Sequence, residues 1–431
     1  MYTHTRLILL FSVASIFLMM GCAKTTHQSQ PQTPVNPALA SQEFPKTPNS
    51  FVFHNTESES SKAALEMLLP YAVPFVERGY NEGLVISVIT PDGVSTKGLG
   101  TLDIESPQHA QMELGSVNKV FIGMAFASMV NDGIVKVDTP LSACLPEGID
   151  IPGSESITLG MLATHTSGLP RLPDSLTELI ESTNTKDPYR TYPISQMWAD
   201  LAKTKINPDH NLEYSNFGAS ILAHALAVCA KEQSWETLIA HRVTDVLELH
   251  SVSAHPSAPL VQGYDEEGNP AQAWSFDEGM APAGALTAKA EDIAKLVQMF
   301  LVEDSFPGRE MLKTSIQPLF AVDSQNTPNT PNMLPVNEVA MNWLLGVGNL
   351  SQLFGETSVQ DSMKELIWHN GRTGTASSSI AFIPDKKIGV VILSDTSTEN
   401  PLTMSLFGLG RILGESADRM NMLVNAIAKP R

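Results

Sequence analysis

The chain has 431 residues, of which 42% are apolar and 17% charged, and its formal net charge is −19. That length allows a large core divided between two lobes. The acidity argues against a nucleic-acid partner and against a docking face for anionic lipid, since both need clustered Lys and Arg.

The first residues read as an export signal. One arginine in "MYTHTR" precedes "LILLFSVASIFLMMG", an apolar stretch too short to span a bilayer comfortably, and the stretch ends at Cys22. A small residue before a cysteine at this point resembles a bacterial lipoprotein signal, although Met19 stands where such signals usually carry Leu. On this reading residues 1–21 are removed and Cys22 is lipidated. The protein is then exported and held to a membrane by its N-terminal lipid, facing the periplasm or the cell exterior. An ordinary secretory signal with an incidental cysteine is the alternative. Ala23 lacks the Asp associated with inner-membrane retention. Residues 22–50, rich in Pro, Gln, Ser and Thr, cannot bury a core and read as a flexible tether.

Residues 51–431 read as a single domain. "SSKAALEMLLPYAVPFVERG" has helical periodicity, and "EGLVISVITPDGVSTKGLGTLD" alternates around a Pro-Asp-Gly turn, which predicts a hairpin. "ELGSVNKVFIGMAFASMVNDG" is a polar knot followed by an apolar helix, and a long, mainly helical middle comes after it. "TAKAEDIAKLVQMFLVED" predicts an amphipathic helix with a Thr N-cap and an acidic first turn, and residues 322–335 a polar loop. "SSSIAFIPDKKIGVVILSD" predicts two strands, and "PLTMSLFGLGRILGESADRM" a last helix. The terminal strands can share one antiparallel sheet. The expected class is therefore α+β, with an α/β lobe from residues 51–115 and 280–431, an inserted helical lobe from 116–279, and a site in the cleft between them. Besides Cys22 the chain has Cys144 and Cys229. Export makes a disulfide possible, but Cys229 falls in the apolar run "GASILAHALAVCAKE", and a free buried thiol is the expectation. No Cys or His cluster has metal-ligand spacing, so neither metal nor cofactor is expected.

Three polar elements carry possible chemistry. Ser116 can cap the apolar helix, or it can be a nucleophile. Lys119, three residues on, shares its helix face, and a lysine pressed into an apolar helix has a lowered pKa suited to a base or proton relay. In "NLEYSNFGAS", Tyr214 and Asn216 alternate and point the same way from an extended loop. The phenol suits acid–base work and the amide suits a substrate amide. The simpler reading is a loop in which Ser215 or Asn216 caps the next helix. In "IWHNGRTGTASSSIAF", Gly371 allows close approach of another backbone, and a strand edge there can offer an N–H to an oxyanion. His369 can bind a substrate carboxylate, aid proton transfer, or simply occupy a turn.

In this order the three elements resemble the family of serine β-lactamases and penicillin-recognising D,D-peptidases. The branch is the one holding class C-type β-lactamases, D,D-carboxypeptidases, D-aminopeptidases and related esterases. The matching segments are "ELGSVNKVF", "YSNFGASILAHAL" and "HNGRTGTASSSIAFIPDKKIGVVILSD", supported by "LGMLATHTSGLP" and "APAGALTAKAEDIAKLVQMF". The resemblance implies a β-lactamase-like fold and acylation of Ser116. Lys119 and Tyr214 would form the proton network, and Asn216 would hold the substrate amide. The N–H groups of Ser116 and Arg372 would form an oxyanion hole. Which of Lys119 and Tyr214 is the base stays open, and His165 is expected to be structural. Class C β-lactamases carry Lys-Thr-Gly where this chain has His369-Asn370-Gly371. Peptides with D-residues, cell-wall-type peptides including peptidoglycan, or small esters are therefore the expected acyl donors. True β-lactam turnover and a non-catalytic penicillin-binding-like scaffold are the alternatives.

Overall fold

Ser58 Oγ accepts the Ser61 N–H while the Ser58 N–H donates to Ser61 Oγ, a reciprocal cap that starts helix α1 (Glu59–Glu77). The run "GLVISVIT" is apolar on both of its faces, which suits a strand covered on both sides. It forms β1 (Gly83–Thr90), buried throughout, and a turn at Pro91–Asp92 returns the chain as β2 (Gly93–Gly100). This computed structural model describes residues 50–322, 336–347 and 363–414, all within one compact unit, Pro48–Arg431. Cys22, the leader and most of the tether lie outside the described residues, as does the expected polar loop beyond Val322.

A short strand, β3 (Gln111–Glu113), leads through a one-turn 3-10 helix at Gly115–Val117 into α2 (Asn118–Asn131). α2 is buried over most of its circumference, as an apolar run with no polar face requires. The middle of the chain adds α3 (Leu159–Ala163), α4 (Asp174–Thr183), α5 (Ile194–Leu201), α6 (Asn216–Ala230) and α7 (Trp235–Ile239). A two-stranded ribbon, β4 (Gly263–Tyr264) and β5 (Pro270–Ala271), follows. Next come β6 (Thr287–Lys289), paired with β3, then α8 (Ala290–Leu301) and α9 (Arg309–Ser315). The amphipathic helix expected here is α8, but its cap is not a threonine: Thr287 is held in β6, and Lys289 occupies the cap position without a side-chain bond.

Cys144 and Cys229 are joined in a disulfide, their Cα atoms 5.1 Å apart. The free buried thiol expected at Cys229 is thus corrected. Helical periodicity placed that residue in α6 but carried no information on the loop at Cys144 that packs against the helix end.

The last part of the chain supplies β7 (Phe320–Ala321), β8 (Glu338–Val339), β9 (Leu344–Leu345), β10 (Ile367–Arg372), β11 (Ser377–Ile383), β12 (Ile388–Ser394) and α10 (Asn400–Ile412). Among the described residues the sheet runs β2-β1-β12-β11-β10-β9-β8-β7, antiparallel at every step. N-terminal and C-terminal strands thus meet at β1 and β12, as expected. On one face Leu84, Ile86, Val88, Val390 and Ile392 pack with Leu68 of α1 and Phe407 of α10. On the other face Val85, Ile89, Val391 and Leu393 share a continuous core with α2, α6 and α8. The helical middle therefore rests on the sheet through one core, and the 3-10 turn at Gly115–Val117 that leads into α2 packs on β10.

Candidate active site

The turn that presents Ser116 is built by two close backbone approaches. Leu114 donates its N–H to Leu286 O at 2.9 Å, and Ser378 Oγ of β11 donates to Leu114 O at 2.7 Å. Gly115 has φ +52°, and a Cβ there would fall 2.6 Å from Arg372 N. A Cβ on Gly371 would fall 2.0 Å from Leu114 O and 2.9 Å from Ser116 N. The two glycines let β10 lie directly against the Ser116 turn. Ser116 caps nothing by its side chain; Val117 precedes α2, and Ser116 is left half-buried with its hydroxyl free for other partners.

One of those partners is Lys119. Its Nζ lies 2.9 Å from Ser116 Oγ and donates to Ala283 O at 2.6 Å. The side chain is fully buried, and burial, reinforced by the charge of Arg171, holds its pKa well below that of a free lysine. The turn that supplies Ala283 O is clamped by Asn118, whose amide donates to Pro282 O at 2.8 Å and accepts from the Leu286 N–H at 2.9 Å. Neither Asn118 nor this carbonyl was recognised as part of the site from the sequence. The only sign was a polar residue inside an apolar run.

Tyr214 stands beside both groups: its phenol feels the Ser116 hydroxyl, and its ring centre is 5.2 Å from Lys119 Nζ. Burial pushes the phenol up to about 12. His165 supports it: the imidazole packs on the Tyr214 ring at 4.5 Å between centres and accepts the Ser215 N–H on Nδ1 at 3.2 Å. Ser215 caps α6 through Gly218 N–H, so Asn216 begins the helix with its side chain in the cleft. The Asn216 amide nitrogen donates to the Tyr189 hydroxyl at 3.1 Å, while its Oδ1 is buried without a partner among the described residues.

The third element divides. Gly371 and Arg372 line the cleft, whereas the His369 side chain is 1% exposed and is not part of the cleft wall. Its Nδ1 bonds to Asn370 O at 2.7 Å, and burial, aided by Lys119, lowers its pKa to about 3. His369 is therefore a neutral, buried imidazole behind the site, not an exposed cation within it. The cleft of about 700 Å3 is lined by Ser116, Tyr214, Asn216, Gly371 and Arg372, with Tyr189, Trp274 and Phe276 among its aromatic residues. Arg171 also lines it; it follows directly on "HTSGLP" but carries no motif of its own.

This arrangement places a nucleophile, a buried amine, a phenol and a close backbone edge around one cavity, the parts needed for acyl transfer. A family model described as Beta-lactamase matches residues 73–412. The chain is 27% identical over 357 residues to a protein named Beta-lactamase from Escherichia coli, covering 76% of this chain and 88% of that one. It is 26% identical over 298 residues to the D-alanyl-D-alanine-carboxypeptidase/endopeptidase AmpH of Escherichia coli, covering 68% and 72%. A class C β-lactamase structure from Rhodobacter sphaeroides matches with TM-score 0.62 at 18% identity, covering 83% of this chain and 99% of that one. The octameric penicillin-binding protein homologue from Pyrococcus abyssi matches with TM-score 0.64 at 22% identity, covering 82% and 78%. Motif order, fold and family match agree, and the chain belongs to the β-lactamase family of serine hydrolases.

Proposed function

We propose that the protein hydrolyses D-configured or cell-wall-type peptides, or small esters, through an acyl-enzyme on Ser116. The observation that carries this reading is the buried amine of Lys119, 2.9 Å from Ser116 Oγ. Burial holds its pKa well below that of a free lysine and so favours the neutral amine, whose lone pair accepts the Ser116 proton as Oγ attacks the acyl carbon. Tyr214, held as the neutral phenol, suits a donor that passes a proton to the leaving group better than a phenolate base. The N–H groups of Ser116 and Arg372 stabilise the oxyanion, and the unpartnered Asn216 Oδ1 accepts the substrate's amide N–H. Water then attacks the acyl-enzyme along the same proton path in reverse.

The absence of a lysine from the first position of the third motif supports peptides and esters above β-lactams. Similarity to proteins named Beta-lactamase favours the second reading, true β-lactam turnover. The experiment is labelling with a fluorophosphonate and with a penicillin, peptide mapping of the adduct, and turnover of D-Ala-D-Ala peptides, short acyl esters and a cephalosporin. An adduct at Ser116, abolished by Ser116→Ala, is the expected result. Labelling elsewhere, or none on folded protein, would sink the mechanism, and cephalosporin turnover matching the best peptide or ester would reverse the substrate ranking.

The same reading makes the protein an exported lipoprotein, lipidated at Cys22 and tethered within reach of peptidoglycan. The Cys144–Cys229 disulfide supports an oxidising compartment. Mass spectrometry of the mature N-terminus tests it, and an unlipidated start at another residue would refute it.

A further inference from the structure

Two arginines line the cleft in opposite states. Arg372 is engaged: its Nε donates to Ser397 Oγ at 2.9 Å, and its guanidinium pairs with Glu266 and with Glu399, the latter at 3.6 Å. Arg171 is exposed, and its guanidinium has no ion-pair or hydrogen-bond partner among the described residues. Its backbone is nonetheless fixed to the site, because Arg171 O accepts the N–H groups of Asn216 at 3.0 Å and Phe217 at 3.2 Å. Its Cζ lies 5.3 Å from the centre of the Tyr214 ring. The carboxylates of the cleft make no ion pair with it among the described residues: Asp265 pairs with Lys186 at 3.7 Å, Glu266 and Glu399 pair with Arg372, and Glu399, which also feels the charge of Arg171, does not bond to it. A guanidinium held at a reactive centre with no internal partner is a fork awaiting a carboxylate.

We propose that Arg171 forms an anion-binding subsite that selects acyl donors carrying a carboxylate on the acyl side of the scissile bond, beside the amide that Asn216 holds. The inference rests on Ser116 being the acylated residue and names the substrate class for that site. The acyl side follows from position, since Arg171 is bonded through its backbone to the N–H of Asn216, the residue assigned to the substrate's amide. Tyr189 and Phe276, stacked at 5.3 Å, with Trp274 edge-on to Tyr189 at 5.5 Å, give an apolar wall for the stem between the scissile carbonyl and the carboxylate. The buried, neutral His369 leaves this task to a permanent cation.

The test uses a pair of acyl donors that differ only in charge, the mono-para-nitrophenyl ester of glutaric acid and the para-nitrophenyl ester of pentanoic acid. Wild type is expected to favour the glutarate ester. The ratio of the two kcat/KM values should fall on the order of 10- to 100-fold in Arg171→Gln, with part of it kept in Arg171→Lys. In parallel, binding of the matching stable anilides is measured in Ser116→Ala with and without Arg171→Gln. A ratio unchanged by Arg171→Gln in turnover overturns the subsite, as does equal binding of the two anilides. If neither ester is hydrolysed by wild type yet the anilide preference is present and lost with Arg171→Gln, the subsite stands and the acyl-enzyme reading falls.

Discussion

Lys119 Nζ lies 5.2 Å from the centre of the Tyr214 ring, and burial acts on the two groups in opposite senses. It lowers the amine well below a free lysine and raises the phenol to about 12. Each charged form is disfavoured, which suits the amine to accept a proton and the phenol to donate one beside the Ser116 hydroxyl. On this basis the proposed mechanism takes Lys119, not Tyr214, as the base for the attack on the acyl donor.

A Lys119→Met variant should lose about 10²- to 10⁴-fold in acylation rate, measured by single-turnover labelling. Its melting temperature should change little. The variant loses the bond to Ala283 O but also relieves the desolvation of a buried amine. In wild type the acylation rate should rise with pH through the lowered Lys119 pKa and then level off. A rate near wild type in Lys119→Met would show that the amine takes no part.

Because His369 titrates at about 3, it stays neutral through the working pH range. The ratio of kcat/KM for an anionic and a neutral acyl donor should therefore be flat between about pH 5.5 and 8, where an exposed histidine with a pKa near 6.5 would make it fall. Stability should show the group instead. The folded pKa lies below the unfolded value of about 6.5, so the unfolded chain takes up a proton first. The contribution of His369 is fully present above about 6.5 and is lost as pH falls toward 3. His369→Gln should flatten that part of the denaturation profile, seen as a smaller drop in melting temperature between pH 7 and 4.

Gly371→Ala should damage the site without any change to a polar group. The new methyl would sit 2.0 Å from Leu114 O and 2.6 Å from Ser378 Oγ, so β10 must withdraw from the Ser116 turn. Moving one oxyanion donor out of place costs on the order of 10²- to 10³-fold in kcat. Acylation by a fluorophosphonate reads the effect, and labelling at the wild-type rate would show that the turn tolerates the shift.

The disulfide closes a loop between residues 85 apart in sequence. Replacing both cysteines by alanine should lower stability by about 2–4 kcal/mol, measured by urea denaturation against the oxidised wild type. Equal midpoints would mean that packing of the Cys144 loop on α6 already holds it.

Much of the fold is legible in the order of residues because hairpins and amphipathic helices depend on near neighbours. The Pro91–Asp92 turn, the two strands around Pro384 and the amphipathic run of α8 are local patterns, and each stands where its pattern placed it. The threonine cap of α8 failed because β3 recruits Thr287 into a strand, a pairing between residues 174 apart. At the site, spacing alone put Lys119 on the face of Ser116, and the structure keeps them in contact. Arg171 was missed because an arginine in a loop has no periodicity to mark it.

The sequence by itself determined the elements, the family motifs and the nearness of Ser116 to Lys119, since these follow from dihedral preferences and spacing over a few residues. Only the tertiary structure decided how those groups are charged and paired. A pKa depends on how much water the rest of the chain removes, and this made His369 a buried neutral ring and drew the Lys119 pKa well below that of a free lysine. Pairing depends on which distant side chains arrive within a few ångströms. That brought Cys144 to Cys229 and Glu266 to Arg372, and left the guanidinium of Arg171 open to the cleft.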